Sequence, residues 1–328
     1  LPSAINVDKI RLLENSITPL SEGIAVAQHS IVTKLATGTK ETTYRDITPN
    51  MVYNFGWDDV YALGYRRRSI KNKGDVRLKI QMSTTSDHIA PVISNESLYI
   101  NVWENFIDNA EINSDDFTII EQGSGYANAN TITITSTSGA GATANVEVND
   151  SGNVVSINVM SSGTGYLDDF SISYYENPTD PATIVLNSEY DSSGGPCLSR
   201  YITKPIVLAD GYDAGDLRVF LAGNKPGQSD ITVFYKILHS ADASNFNDRP
   251  YQKMVCVNPS TVASKTDYDF TEYEFRPSAE DNYVTYTSDD GITFDSFKTF
   301  AIKIVLTSSE PALTPKVRDL RIIALPAE

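Results

Sequence analysis

Apolar and polar residues alternate with period two over most of this chain, and the apolar positions favour Val, Ile, Thr, Tyr and Phe. Alternate residues of a strand face opposite sides of a sheet, so this pattern builds half-buried strands. The segments VRLKIQM (76–82), SLYINVWENF (97–106), TITITST (131–137), TANVEVN (143–149), VVSINVM (154–160) and SISYY (171–175) carry it. So do RYITKPIVL (200–208), DLRVFLAG (216–223), DITVFYKIL (230–238), EYEFRP (272–277), TFAIKIVLTS (299–308) and VRDLRIIAL (317–325). Turn signals separate them, among them Asn149-Asp150-Ser151-Gly152, Lys225-Pro226-Gly227 and Asp289-Asp290-Gly291. The best helical pattern, residues 21–36, also reads as the strand pair GIAVAQ and SIVTKLA, and the strand reading is preferred. Many short strands without alternating helices predict an all-β chain of β-sandwich domains rather than an α/β sheet.

At 328 residues, with domains of about 150 residues each, the chain has room for about two domains. The net charge of −16 opposes binding to duplex nucleic acid and to anionic membranes, which need a basic footprint, so neither is expected as a partner. No apolar run is long enough to make a membrane-spanning helix. Two cysteines, Cys197 and Cys256, are too few for a disulfide framework, and free thiols are expected. LPSAINVDKIRLL at the start lacks the basic and apolar regions of a signal peptide, which suggests a processed chain or a piece of a longer one.

One internal repeat stands out: GSGYANANTITI (123–134) matches GTGYLDDFSISY (163–174) at an offset of 40 residues. Lys and Arg are also absent from Ile112 through Ser199, although frequent on both sides. A shift in composition bounded by turns predicts an insertion, because long excursions add little loop-closure entropy. The expected organisation is an N-terminal attachment region (1–75), a discontinuous β-sandwich (76–114 plus 190–328) and an inserted β module (115–189) carrying the Gly-x-Gly-Tyr repeat.

Chemical motifs are sparse. His29, His88 and His239 show no metal-ligand spacing, and no Gly-x-Ser-x-Gly elbow occurs. DGYDAGD (210–216) spaces three Asp residues by three, yet it departs from the EF-hand pattern and reads as a turn. The Gly-x-Gly-Tyr segments precede strands rather than helices, which argues against a phosphate loop and for tight turns with Tyr126 and Tyr166 packed on their strands. No cofactor, metal or catalytic residue is assigned. NFGWDDVYALGYRRR (54–68) combines aromatic residues with the chain's one basic run; this is an interface composition, and Trp57, Tyr61, Tyr65, Arg66, Arg67 and Arg68 are the candidate contacts.

RYITKPIVLADGYDAGDLRVFLAGNKPGQSDITVFYKILHSADASNFNDRPYQKM (200–254), FKTFAIKIVLTSSEPALTPKVRDLRIIAL (297–325) and STTSDHIAPVISNESLYINVWEN (83–105) together resemble virion structural proteins of contractile-tailed, cyanophage-like bacteriophages, in the tail and baseplate family. The Gly-x-Gly-Tyr repeats resemble modules of phage fibre and neck proteins. The resemblance implies a non-enzymatic subunit that joins neighbouring subunits or anchors fibres. It implies a homo-oligomer, other tail or baseplate proteins as partners, assembly in the host cytoplasm and residence in the virion. The rival expectation is a carbohydrate- or receptor-binding sandwich with Tyr126, Asn128 and Tyr166 as sugar contacts. The final segment is expected to pair its two strands through a Pro-containing loop, with Lys303 on the face opposite Ile302 and Ile304.

Overall fold

The computed structural model describes residues 7–19, 29–37, 45–55, 69–70, 76–128, 131–167, 170–174, 178–280, 283–310 and 313–326. The fold is all-β: antiparallel sheets account for nearly every element, and the described residues include only single-turn helices. The alternating segments become strands as expected. Pro205 divides RYITKPIVL into two short strands, Arg200–Ile202 and Ile206–Val207. The ambiguous stretch 21–36 contributes part of a strand, His29–Thr37, and its earlier residues lie outside the described ones.

In the first hundred residues, β1 (Val7–Leu13), β2 (His29–Thr37), β3 (Arg45–Ile47), β4 (Val52–Phe55), β5 (Val76–Thr84) and β6 (Tyr99–Glu104) form two sheets. β1 pairs with β4 and β6, and β2 pairs with β3 and β5. The expected discontinuous sandwich is therefore corrected: the strands of 76–104 pair with the N-terminal strands, not with those after residue 190. Sequence pattern shows that a segment is a strand but not which strand it pairs with.

Residues 117–186 hold six strands: β7 (Phe117–Glu121), β8 (Thr131–Ser136), β9 (Ala140–Val148), β10 (Val154–Thr164), β11 (Phe170–Tyr174) and β12 (Thr183–Leu186). The repeat seen in sequence is a repeat in structure, and its halves interlock. The first strand of each half pairs with the third strand of the other, β7 with β12 and β10 with β9. The registers coincide after the 40-residue shift: Phe117↔Leu186 becomes Ile157↔Val146, Ile119↔Ile184 becomes Val159↔Ala144, and Glu121↔Thr183 becomes Ser161↔Thr143. A register break falls at the corresponding place in both ladders. The middle strands β8 and β11 pair about Thr133↔Ser173, where a pseudo-two-fold axis passes. Inward-facing Ile132, Ile134, Ala144, Val146, Val154, Ile157 and Leu186 give the unit its own core.

The C-terminal part is a β-sandwich. One sheet runs β13 (Arg200–Ile202), β19 (Thr299–Ser308), β15 (Ser229–Leu238), β16 (Gln252–Lys253). The other runs β17 (Val255–Cys256), β18 (Thr271–Arg276), β14 (Ala214–Asn224), β20 (Lys316–Pro326). Leu217, Val219, Leu221, Ile231, Val233, Phe297, Ile302 and Ile304 fill the space between them. A second expectation is corrected here: β19 and β20 do not pair through their Pro-containing loop but belong to opposite sheets. The Lys225-Pro226-Gly227 turn also crosses between sheets, from β14 to β15, with Gln228 rather than Gly227 in the left-handed region at φ 67°.

Candidate functional site

Trp57, Tyr61, Tyr65, Arg66, Arg67 and Arg68 lie outside the described residues. Beside them in sequence, the described residues 17–106 expose large apolar side chains: Ile17, Met82, Ile89, Val92, Tyr99, Ile100, Trp103 and Phe106, the last at 72% of its full surface. Among the side chains described in residues 7–106, few are buried: Ile10 and Leu12 on β1, Pro91, and the pair of Glu14 and Thr33, in which the Glu14 carboxylate accepts a 2.8 Å hydrogen bond from Thr33.

The repeat tyrosines are core residues. Tyr126 and Tyr166 are 7% and 3% exposed, and their hydroxyls accept the backbone N–H of Ala182 at 2.7 Å and Ala142 at 3.0 Å. These acceptor contacts are themselves 40 residues apart. Asn128 accepts from the backbone N–H of Val148 at 2.8 Å. Sugar recognition by Tyr126 and Tyr166 is thereby corrected, because a sugar stacks on an exposed ring face and these faces are packed against strands. The glycines of the motif explain the packing. Gly123, Gly125, Gly163 and Gly165 all have positive φ, and a Cβ on Gly123 or Gly163 would lie 2.5 Å from the backbone of Ala182 or Ala142.

The acidic run 210–216 disperses. Asp210 faces Lys298, Asp213 accepts from Ser240 at 2.7 Å, and Asp216 pairs with Arg218 at 3.1 Å. Among the described residues no group of three His, Cys, Asp or Glu side chains is placed to hold a metal ion. His239 stacks on Phe294, and its Nδ1 accepts the Ala241 N–H at 3.0 Å. Ser240 donates to Asp213 rather than to His239, so these three residues do not form a nucleophile–base chain.

The most unusual polar cluster lies on the outer face of the β15–β19 sheet. Lys303 does point away from Ile302 and Ile304, but it is fully buried. Its Nζ donates to Glu189 Oε2 at 2.7 Å and to the backbone carbonyls of Glu189 and Gly194, above the rings of Phe234 and Tyr251. Glu189, equally buried, accepts the Cys197 N–H at 2.7 Å through Oε1. Desolvation pushes the Lys303 pKa down against the pull of Glu189, and burial pushes the Cys197 thiol up. Asp108 accepts from the N–H groups of Ala110 and Leu198, and burial raises its pKa from 3.8 to about 6. The cluster joins the two chain segments that flank the repeat unit, 105–112 and 187–200, to one sheet face. The sequence signal for it was a lone Lys inside an apolar strand.

The sandwich also carries two neighbouring cavities open to solvent, of about 350 and about 180 Å³, that share Lys225 and Asp230 as lining residues. Both cysteines are free thiols; Cys197 is buried, and Cys256 lines the smaller cavity. Comparison with family models, curated proteins and solved structures finds no match to this chain.

Proposed function

We propose that this chain is a non-enzymatic structural subunit that acts by packing against neighbouring proteins, and that its assembly is the tail or baseplate of a contractile-tailed bacteriophage. The apolar surface of residues 17–106 carries the interface part of the reading. The repeat unit and the sandwich expose some apolar side chains too, but each has a buried core cluster, whereas the described residues of this region bury few apolar side chains and leave Tyr99, Ile100, Trp103 and Phe106 on the surface. Exposed aromatic and aliphatic side chains with so few buried partners beneath them suit a protein–protein contact. The phage part rests on the resemblance of 83–105, 200–254 and 297–325 to tail and baseplate proteins. Homo-oligomerisation, neighbouring virion proteins as partners and residence in the virion belong to the same proposal.

The test is mass spectrometry of density-purified particles combined with gold-labelled antibodies on intact particles. Peptides of the chain in fixed ratio to the tail proteins, with label on the tail or baseplate, support the reading. A chain abundant in the lysate but missing from purified particles overturns it.

A further inference from the structure

The two cavities lie at the end of the sandwich where the chain twice crosses between sheets, at 224–229 and at 252–256. Each crossing supplies a wall. The loop 258–264 closes the outside, held by reciprocal bonds in which Ser264 N–H donates to the Lys225 carbonyl at 2.7 Å and Lys225 N–H donates to Ser264 Oγ at 2.9 Å. The larger cavity is lined mainly by polar groups, including Asn109, Gln228, Ser229, Ser260, Thr261 and Thr307. The smaller is mainly apolar, with Met254, Cys256, Pro259, Tyr273 and Phe275 in its walls. Between them stand Lys225 and Asp230, joined at 2.5 Å, with the Lys225 ammonium 5.3 Å above the Tyr273 ring.

We propose that this cleft binds an uncharged sugar bearing an N-acetyl group. The polar cavity and the apolar cavity meet at one charged pair, which sets the ligand's chemistry. Side by side, an ammonium and a carboxylate offer a donor and acceptors to neighbouring hydroxyls while adding no net charge to the wall. Charge balance thus favours a neutral ligand. The apolar cavity suits one small methyl-bearing substituent at the ring's edge, and the polar cavity receives the remaining hydroxyls. The polar cleft, at about 350 Å³, reaches the size of a small-molecule site, and both exceed what a bound water needs. Gln228, held at positive φ in the turn that lines the mouth, keeps its carbonyl and side chain engaged with Ser309 and so fixes the rim. This site is separate from Tyr126 and Tyr166, and it stands or falls independently of the assembly role.

The experiment is saturation-transfer NMR on the full chain with N-acetylglucosamine, N-acetylgalactosamine and glucose at about 20 mM, paired with alkylation of Cys256. At least one acetylated sugar is expected to bind with a millimolar dissociation constant, as befits so small a ligand. Its acetyl methyl receives the strongest transfer, and glucose binds about tenfold or more weakly. The bound sugar slows alkylation of Cys256, and Asp230→Asn and Lys225→Met each weaken binding about tenfold or more. Val262→Arg obstructs the mouth from a position 64% exposed, so it abolishes transfer without touching the core. Absence of transfer from both acetylated sugars overturns the proposal. So does transfer that persists in Val262→Arg and leaves Cys256 unprotected.

Discussion

Replacing Lys303 with Met leaves the Glu189 carboxylate buried beside Phe234 and Tyr251 with its cation gone. Breaking a buried pair from one side costs about 3–5 kcal/mol, because the remaining charge stays desolvated. Here the backbone carbonyls of Glu189 and Gly194 also lose their donor, at about 1 kcal/mol each, which places the single variant near the top of that range. The reverse single, Glu189→Leu, strands the ammonium whose pKa burial already lowers, and it costs a similar amount. The double variant removes both charges but leaves the Glu189 and Gly194 carbonyls and the Cys197 N–H without their partners, so it should recover only part of the loss and stay about 3 kcal/mol below the parent. Hydrogen exchange at Ser229–Leu238 and Thr299–Ser308, read by mass spectrometry along a urea series, isolates this sheet from the rest of the chain. In thermal melts the Lys303→Met sandwich should unfold about 10 °C lower. A single-variant cost under about 1 kcal/mol, or a double variant no more stable than the singles, would refute the reasoning, since either outcome means the pair is not buried.

Asp108 predicts a pH effect with a definite sign. Its folded pKa is raised from 3.8 to about 6, so its protonated form favours folding; the contribution is complete below about pH 4 and is lost as pH rises through 6. The full shift is worth about 3 kcal/mol as an upper value, and Asp108→Asn should flatten the stability profile between pH 4 and about 7. Gly163→Ala and Gly123→Ala should each destabilise the repeat unit by more than about 2 kcal/mol, because the φ is positive and the new Cβ meets backbone at 2.5 Å. Gly291→Ala, with positive φ but open space around it, should cost only about 1 kcal/mol by chemical denaturation, and equal costs at the three sites would contradict the packing described. Cys256 should react with a thiol reagent in the native protein and Cys197 only after unfolding, as quantified by labelled-peptide mass spectrometry.

Local pattern and tertiary partnership divided the information in this chain. Strands were legible because side-chain alternation is a property of a few consecutive residues. The repeat at 123–134 and 163–174 was legible because the same turn and the same buried Tyr demand the same residues twice. The sequence by itself therefore determined an all-β chain with a duplicated Gly-x-Gly-Tyr unit, positive-φ glycines and two thiols. Only the tertiary structure decided that β5 and β6 belong with the N-terminal strands and that the two halves of the repeat exchange their outer strands. It also decided that Lys303 faces a second core rather than water. In each case the deciding partner is distant in sequence, Glu189 being 114 residues from Lys303. Pairing between distant strands is set by which faces must leave water together, and alternation along one strand carries no information about the strand that will cover it.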